Sequence, residues 1–571
     1  MATINPGLDT SGNNNNWAPV NINFYTSSSS TFDTMTDVPT NTSSTVANYC
    51  VLNPISKTSS TTISSGNLDV TTSSINQAAG GTVAVNSGKY YFEATVGTTT
   101  SGNTYFGIAT IDFDETRYSG GAYVLYMSNG QKYTTSASAY GSSYVQGDIL
   151  GCAVNCDTGT VTFYKNNVSQ GDITGVSMTT PWKASLQTSV TITTAWNFNF
   201  GQRPFAYTPP TGFVALNTYN LPTPTIGATN TTLANSYMDA TLYTGTSTYP
   251  RSVTNAAGFQ PDLVWVKGRN TTYANILYDS VRGTGTSKSL CSNITSAEGN
   301  YSTFANLSSF NSNGFTVGST SSTNILNDSS ANFVAWQWKA SGTTVSNTDG
   351  SITSTVSANT TSGFSVVTYT GNGSAGATVG HGLGVAPAMM IFKSRNAAAN
   401  WDIYHQSLGN NKYLLLDSTA AAGTSAWLNN TSPSSTVFTL GNLSDTNTNG
   451  QTMVAYCFAE VAGYSKFGSY TGNGSSDGPF IYCGFKPAMI WTKPSSNIGA
   501  WNVLDNKRGP YNVNQPYLQQ NSSNAEATVD YVDFLSNGFK IRYNGSTPNG
   551  SGQTIIYIAF AENPFKYANA R

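Results

Sequence analysis

The chain has 571 residues, a formal net charge of −2, 9% charged residues and 12% aromatic residues. This composition excludes the usual form of intrinsic disorder, which requires a high net charge and few aromatic residues. Because Lys and Arg are not in excess, binding to the phosphate backbone of nucleic acids is not expected. At roughly 100–200 residues per domain, the length predicts several domains.

The N-terminus is a polar arm, residues 1–16, that ends in a run of four Asn residues. It has neither a basic nor an apolar region, so no secretory signal is predicted. No apolar run approaches the roughly 20 residues that a membrane-spanning helix requires. We expect ordered structure to begin at Trp17 and the arm with Trp17 to anchor the protein in a larger assembly.

Strand-like patterns extend along most of the sequence. Short runs of Val, Ile, Tyr, Phe, Trp and Thr alternate with Asn-Gly and other turn sequences. No segment has sustained helical spacing or heptads, so any oligomer is expected to form through sheet surfaces. The six cysteines form no CxxC pair and no regular ladder, which argues against a zinc site and a disulfide framework. The sequence predicts an all-β protein of tandem β-sandwiches.

The first folded unit, predicted at 17–218, contains a clear hairpin whose two strands are joined by a turn at 155–159. Its recognisable segments are, in chain order, 88–96, 106–109, 147–154, 161–166 and 196–205. These segments in this order resemble the SPRY β-sandwich family. The stretches 33–39 and 48–54 are similar to the lead-in strands of SPRY-type proteins of tailed phages. The resemblance implies a module that binds partners through loops and is not an enzyme.

The rest of the chain contains three diverged copies of one pattern. Each copy has a Tyr-Thr-Gly motif, an apolar strand that follows a Pro and ends in Lys, and an apolar closing strand. The prolines are Pro261, Pro387 and Pro487. Each copy of roughly 100 residues is long enough to have a core of its own. The copies resemble a repeat domain found in virion proteins of marine tailed phages.

These patterns predict a linear series of domains. The predicted organisation is a polar arm at 1–16, a SPRY-like sandwich at 17–218, a linker at 219–236, repeat 1 at 237–341, a linker at 342–362, repeat 2 at 363–463 and repeat 3 at 464–571.

Few residues in the sequence suggest catalysis. His381 lies in a Gly-His-Gly turn, and His405 takes the place of an Asp in the other copies, so both are predicted to be polar positions in turns or facing solvent. Neither has the surroundings of a nucleophile elbow. The acidic run of Asp112, Asp114 and Glu115 is either a solvated loop or a weak cation site. We predict no catalytic residue, metal or cofactor, and therefore no enzyme.

Tyrosines in loops of the first unit are the candidate binding residues: Tyr118, Tyr123, Tyr140 and Tyr144. Exposed aromatic rings could stack on sugar rings while Asn and Ser side chains bond to the hydroxyl groups. The alternative is that these tyrosines cover sheet faces, as tyrosines commonly do in β proteins.

Together these features predict a bacteriophage structural and adhesion protein located in the virion, a tail fibre or receptor-binding appendage that mediates host attachment. A head fibre or capsid-decorating protein is the alternative, and a virion-associated polysaccharide depolymerase is an alternative of another class. Expected partners are other virion proteins and a host surface receptor, for which a glycan is the candidate. A homotrimer or attachment to a virion ring is expected, without nucleic acid binding or membrane insertion.

Overall fold

The computed structural model describes residues 41–98, 104–116, 118–189, 191, 193–229 and 231–567. The protein is all-β, which confirms the predicted fold class, and it divides after Pro222 into two compact units. The arm 1–16 and Trp17, predicted as an anchor, lie outside the described residues. None of the helices in these ranges is long and apolar enough to cross a bilayer.

The first unit is a sandwich of two antiparallel sheets. Its strands are β1 Leu52–Lys57, β2 Thr61–Ser64, β3 Asp69–Thr72, β4 Gln77–Val85, β5 Lys89–Thr98, β6 Thr104–Thr110, β7 Tyr123–Met127, β8 Gln131–Tyr133, β9 Ala137–Ala139, β10 Ile149–Asn155, β11 Thr160–Lys165, β12 Val168–Ile173, β13 Trp182–Thr188, β14 Thr194–Asn199 and β15 Val214–Ala215. One sheet has the order β1-β4-β13-β6-β7-β8-β9, and the other has the order β12-β11-β10-β5-β14-β3-β2, with β15 parallel to β5.

The two sheets of the first unit pack through aromatic side chains. Phe106 of the first sheet stacks on Trp196 of the second, with ring centroids 6.1 Å apart, and it also contacts Phe92 and Phe163. All four rings are buried. The predicted hairpin is present as β10 and β11, paired from Leu150 to Asn155, so local alternation and turn sequence were sufficient to identify it.

The second unit contains the three repeats. The strands of repeat 1 are β16 Met238–Thr244, β17 Arg251–Thr254, β18 Leu263–Gly268, β19 Ile276–Asp279, β20 Leu290–Cys291, β21 Leu307–Asn311, β22 Gly314–Val317 and β23 Asn332–Trp338. Those of repeat 2 are β24 Val345–Asn347, β25 Ser354–Asn359, β26 Phe364–Thr370, β27 Thr378–Gly380, β28 Met389–Ser394, β29 Trp401–His405, β30 Lys412–Leu415, β31 Gly423–Thr424, β32 Val437–Thr439 and β33 Thr452–Phe458, with a helical turn α1 Ser444–Asn447. Those of repeat 3 are β34 Ser465–Thr471, β35 Phe480–Tyr482, β36 Phe485–Pro494, β37 Asn502–Asp505, β38 Asn514–Gln519, β39 Ala527–Leu535, β40 Gly538–Ile541 and β41 Thr554–Pro564, with a helical turn α2 Ser546–Asn549.

The repeats share one strand order, and their sheets contain β16-β23-β18-β19, β26-β33-β28-β29 and β34-β41-β36-β37. In each, the apolar strand that ends in Lys lies between its hairpin partner and the closing strand. The interval 342–362, predicted as a linker, instead forms β24 and β25 of the repeat 2 sheet. The predicted linker 219–236 is also structured in part, because Ile226 is buried and 234–236 is a 3-10 turn.

The repeated Tyr-Thr-Gly motif has a structural explanation. The hydroxyl groups of Tyr243, Tyr369 and Tyr470 donate to backbone carbonyls at 2.7, 2.8 and 2.9 Å, each on the segment that leads into the closing strand of the same repeat. Beside each carbonyl lies a buried Asn whose side-chain oxygen accepts a backbone N–H from the residues after the motif. These are Asn327, Asn447 and Asn549, an equivalence that the sequence reasoning missed.

Repeats 1 and 2 each have an apolar cluster of their own, as expected, one within residues 253–335 and the other within 352–459. The sequence did not predict the further apolar cluster that contains buried residues of all three repeats together with Ile226. At its centre the last large residues of the closing strands, Trp338, Phe458 and Phe560, form a triangle with ring centroids 6.0–6.2 Å apart. The repeats therefore surround a pseudo-threefold axis, and each uses one face of its sheet to build the common core.

Buried lysines mark the three contacts around this axis. The ammonium groups of Lys267, Lys393 and Lys493 are buried, and each bonds to carbonyls of its own repeat and of a neighbouring repeat. Lys267 reaches Ser523 of repeat 3 at 3.0 Å, Lys393 reaches Thr295 of repeat 1 at 3.0 Å, and Lys493 reaches Ala420 of repeat 2 at 2.7 Å. Burial lowers the pKa of each lysine to about 8. The Lys that ends each apolar strand thus joins the repeats in a cyclic order.

Two of the three contacts also contain buried ion pairs. Asp505 of repeat 3 receives hydrogen bonds from Arg508 at 2.6 Å and from the indole of Trp336 in repeat 1 at 3.0 Å. Asp279 of repeat 1 is bonded in the same way by Arg282 and by the hydroxyl of Tyr456 in repeat 2, the latter at 2.8 Å. In each case one carboxylate neutralises the charge of a buried guanidinium and also accepts a hydrogen bond from the neighbouring repeat.

Replacing Asp505 tests how much this contact contributes. Asp505→Ala leaves Arg508 buried without its carboxylate, so we expect the free energy of unfolding to fall by about 3–5 kcal/mol, as is usual when a buried pair loses one partner. Urea denaturation of the full chain measures this. The double variant Asp505→His with Arg508→Leu, which copies repeat 2, should recover at least half of the loss. A cost below about 1 kcal/mol for the single variant would contradict this assignment.

Candidate binding surface

Three tyrosines from neighbouring strands form a stack on the first sheet of the first unit. Tyr105 of β6, Tyr133 of β8 and Tyr123 of β7 are each half-buried. The Tyr105 and Tyr133 rings are 6.1 Å apart at 21°, and the Tyr133 and Tyr123 rings are 5.3 Å apart at 14°. Because the rings face one another, the faces between them are covered, and the hydroxyl of Tyr105 lies 2.5 Å from that of Ser189.

Tyr118 extends this surface through a buried phenylalanine. Phe113 makes edge-to-face contacts with Tyr118 at 5.9 Å and with Tyr123 at 6.3 Å. Tyr118 has φ of 53°, a backbone conformation that bulky residues rarely adopt and that is often found at functional positions. Burial raises the pKa of Tyr118 and of Tyr123 above that of a free tyrosine, which is itself protonated at neutral pH. We call Tyr105, Tyr118, Tyr123 and Tyr133 the tyrosine strip.

The acidic run predicted as a solvated loop or weak cation site supports the strip instead. Glu115 is fully buried, 2.7 Å from the Lys183 ammonium, and it accepts a hydrogen bond from Ser56 at 2.8 Å. Lys183 also donates to the carbonyl of Phe113 at 3.1 Å, so the ion pair fixes the residue on which the strip rests. Gly80 makes room for this pair, because a Cβ atom there would lie 2.4 Å from Glu115 Oε1.

The other two acids of the run lie nearer to solvent. Asp112 is exposed, and Asp114 accepts hydrogen bonds from the backbone and the hydroxyl of Thr116 at 2.9 and 2.6 Å, which closes a local turn. Across the ranges that the structure describes, no three His, Cys, Asp or Glu side chains converge as a metal site would require. The cation alternative therefore has no structural support among these residues.

The four predicted binding tyrosines separate into two groups. Tyr118, which lies in a loop, and Tyr123, which begins β7, belong to the strip. Tyr140 packs on Phe163 and accepts its backbone N–H at 3.1 Å. Tyr144 is buried, and its hydroxyl donates to the carbonyl of Thr104 at 2.7 Å, so its prediction as an exposed binding residue is wrong.

Tyr105 and Tyr133 were missed by the sequence reasoning, although one signal was available. Tyr105 directly precedes the core residue Phe106, and successive residues of a strand face opposite sides of the sheet. Tyr105 must therefore point away from the sandwich core. Tyr133 gave no comparable signal, because its three-residue strand is too short to show alternation.

Both histidines are buried, which corrects their prediction as turn or solvent positions. His381 lies near Ser434, whose carbonyl is 3.2 Å from Nε2, and the N–H of Leu383 donates to Nδ1 at 3.2 Å. His405 lies at the contact between repeats 2 and 3, with Nε2 3.2 Å from the carbonyl of Tyr557. Their ring nitrogens are thus engaged with the backbone rather than with a nucleophile.

Each of the two units matches a different known protein family. The SPRY domain family matches residues 89–201, and a family described as "Domain of unknown function (DUF7483)" matches residues 234–564. Among curated proteins, the E3 ubiquitin-protein ligase RKP of Arabidopsis thaliana is 33% identical over 136 residues, which are 23% of this chain and 10% of that protein. The ATP-dependent RNA helicase DDX1 of Xenopus laevis is 28% identical over 187 residues, which are 31% of this chain and 24% of that protein.

A solved structure of the SPRY domain of human HERC1 is also similar, with 16% identity and a TM-score of 0.23, and the match covers 27% of this chain and 99% of that one. The chain thus spans at most a quarter of the length of the curated relatives named above. The match over residues 234–564 covers more than half of the chain. The chain therefore belongs to the family described as Domain of unknown function (DUF7483), and it carries a SPRY domain at residues 89–201.

Proposed function

We propose that the protein is a structural and adhesion component of a bacteriophage virion, a tail fibre or receptor-binding appendage that mediates host attachment. In this proposal the first unit binds and the second unit is a rigid body. The observation that carries the binding role is the tyrosine strip, an ordered aromatic surface that a buried ion pair holds in place. The resemblance of the repeats to virion proteins supports the setting.

The chemistry of the strip supports a neutral partner. Tyrosines provide large contact areas with little side-chain entropy to lose, and their edges offer hydroxyl groups as donors and acceptors. The loop beside Tyr118 continues as Ser119, Gly120, Gly121 and Ala122, all exposed and uncharged. A glycan of the host surface, which has many hydroxyl groups and needs no ion pair, fits such a surface.

The second unit supports a structural role. Its buried lysines bond to backbone carbonyls of the neighbouring repeats, and its buried aspartates accept hydrogen bonds from the indole of Trp336 and the hydroxyl of Tyr456 across the contacts. The cavity beside the axis is lined by apolar side chains, so its walls offer no group for acid–base or nucleophilic chemistry. The threefold arrangement that a homotrimer would supply is already present within one chain.

Localisation in purified particles tests the proposal. Antibodies raised against the full chain should label the tail in electron micrographs of the phage that encodes it. Labelling of the head would favour the head fibre or capsid-decorating alternative. Release of reducing ends from host polysaccharide by the purified protein would contradict a purely adhesive role and favour a depolymerase.

Substitutions in the strip test its role in attachment. Tyr133→Ser removes the middle ring of the stack, and we expect the labelled full chain to adsorb to host cells roughly 10-fold more weakly, the usual cost of losing an aromatic anchor at an interface. Circular dichroism should show an unchanged fold. Tyr511→Ser, at a position 79% exposed in the second unit, is the matched control and should adsorb like wild type. Equal adsorption of Tyr133→Ser and wild type would exclude the strip.

A further inference from the structure

The three repeat contacts are equivalent in backbone geometry and differ in charge. The backbone N–H groups of Glu298, Glu526 and Ala422 each donate across a contact, to the carbonyls of Arg395, Arg269 and Ser495 at 2.8, 2.6 and 2.9 Å. In the first two contacts the Glu side chain also forms ion pairs with that Arg and with the buried Arg of its own repeat. In the contact between repeats 2 and 3, the corresponding residues are Ala422, Ser495 and Leu408, none of which is charged.

At the contact between repeats 2 and 3, His405 likewise replaces a charged residue of the other contacts. It stands where Asp279 and Asp505 stand in the other repeats, and those two aspartates accept hydrogen bonds from Tyr456 and Trp336 of the adjacent closing strands. The third closing strand has Ile558 at this place, which offers no side-chain donor. The imidazole bonds to the backbone of that strand instead, with Nε2 3.2 Å from the carbonyl of Tyr557.

The neutral ring satisfies both of its nitrogens. The N–H of Ser407 donates to Nδ1 at 3.2 Å, so Nδ1 is the acceptor and Nε2 carries the hydrogen that is donated to Tyr557. A second proton on Nδ1 would face the N–H of Ser407 without an acceptor. The side chain is fully buried, so the resulting charge would also lack water.

The ionised groups on the elements around His405 are already engaged, and the buried Asp402 carboxyl of the same strand is neutral at acid pH because burial raises its pKa to about 8. On its own sheet Lys393 bonds to carbonyls, and on β41 Glu562 pairs with Lys486 at 2.9 Å. On β34 Lys466 pairs with Glu460 at 2.6 Å, the ion pair that the described residues place between repeats 2 and 3. Both of its side chains are about one-third exposed, so the pair contributes little to this contact.

We propose that the contact between repeats 2 and 3 is an acid-sensitive joint, which opens when His405 is protonated while the other two contacts stay closed. Burial supports this by lowering the pKa of His405 to about 4, and only the hydrogen bond to Tyr557 acts in the opposite direction. A His whose folded pKa lies below its unfolded value binds more protons when exposed. The closed contact therefore loses stability as the pH falls from about 6.5 towards 4.

Hydrogen exchange of the full chain tests the joint through the three equivalent amides. With protection factors corrected for intrinsic rates, the amide of Ala422 should lose roughly 30-fold protection between pH 8 and pH 5, as a pKa change from about 6.5 to about 4 on closing requires. The amides of Glu298 and Glu526 should lose less than about 3-fold protection, because a buried lysine with a pKa of about 8 is common to all three contacts. Asp402, whose pKa is also about 8, takes up a proton as the pH falls and so favours the closed state.

Variants separate His405 from other titrating groups. His405→Gln retains a donor for the carbonyl of Tyr557 but cannot be protonated, so its Ala422 amide should keep its protection at pH 5. His381→Gln removes the other buried histidine of repeat 2 and should behave like wild type. The proposal is overturned if all three amides of the wild-type protein respond equally to pH, or if the Ala422 amide of His405→Gln loses as much protection as that of wild type.

Discussion

A fragment that contains repeat 2 alone, residues 342–463, is expected to be unfolded, whereas the whole second unit, 223–571, is expected to unfold in one cooperative transition. Excision retains the apolar cluster that lies within residues 352–459, but it exposes the opposite face of repeat 2, which lies in the common core. Its large side chains there are Phe364, Val366, Met389, Ile391, Trp401, Ile403, Leu414, Leu416, Val454, Tyr456 and Phe458. Exposure costs about 1.5–3 kcal/mol for each large apolar side chain. The sum exceeds the roughly 5–15 kcal/mol by which a whole domain is stable.

Near-ultraviolet circular dichroism and thermal melting measure this difference. Residues 41–222, which have their own aromatic core, should fold alone and serve as the control for fragment design. A fragment of residues 237–571, which lacks the buried Ile226, should melt at a lower temperature than 223–571. A cooperative transition of the 342–463 fragment at the temperature of the whole unit would show that the repeats are independent after all.

Local features of the fold could be predicted because they depend on neighbours in sequence. The β10–β11 hairpin follows from strand alternation around an Asn- and Gly-containing turn. The apolar strands ending in Lys267, Lys393 and Lys493 were identified by comparing the copies with one another. These lysines were recognised as equivalent, but sequence spacing alone could not show that they bond across repeat contacts.

The common core could not be predicted because it depends on how the repeats dock. A face of bulky residues such as Trp336 and Trp338 is equally compatible with a second sheet of the same repeat and with a neighbouring repeat. The substitution of His405 for Asp was visible, and it was interpreted as a solvent position. The informative signal was a second position, where Ile558 replaces Trp336 and Tyr456 and removes the donor that an aspartate would need.

The candidate site was predicted in part for a similar reason. Tyr118 and Tyr123 were selected because loops commonly carry binding residues, and the structure places both in the strip. Tyr144 has the same sequence character, yet its ring packs on Trp196 at 5.7 Å within the sandwich. The partners of Glu115 are likewise distant in sequence, since Ser56 and Lys183 lie 59 and 68 residues away.

Asp402→Asn is expected to stabilise the protein at neutral and alkaline pH. Asp402 lies in β29 and is buried, and its Oδ2 has no hydrogen-bond partner among the described residues. Burial, together with the neighbouring carboxyl groups of Asp445 and Asp417, raises its pKa to about 8 against the opposing effect of Lys393. The native carboxyl thus keeps a proton that the unfolded chain releases above about pH 4.

The sign of the pH dependence follows from this proton. Between pH 4 and pH 8 the native state binds more protons at Asp402 than the unfolded state does. Asp402 therefore lowers the free energy of unfolding by about 1.4 kcal/mol for each unit by which the pH rises. The amide that Asp402→Asn introduces would stay neutral throughout. The gain from the substitution should therefore be close to zero at pH 4 and reach about 2–4 kcal/mol at pH 7.

Repeat 3 provides the reciprocal experiment, because the equivalent position is already an amide. Asn502 donates to the hydroxyl of Tyr531 at 2.9 Å and accepts from Gln519 at 3.2 Å. Asn502→Asp should introduce a loss of stability above pH 4 like the one that Asp402→Asn removes. Urea denaturation at pH 4, 6 and 8 measures both, and since His405 is unchanged in each variant, its contribution cancels in the comparison. The same slope for wild type and Asp402→Asn would show that Asp402 is ionised in the folded protein.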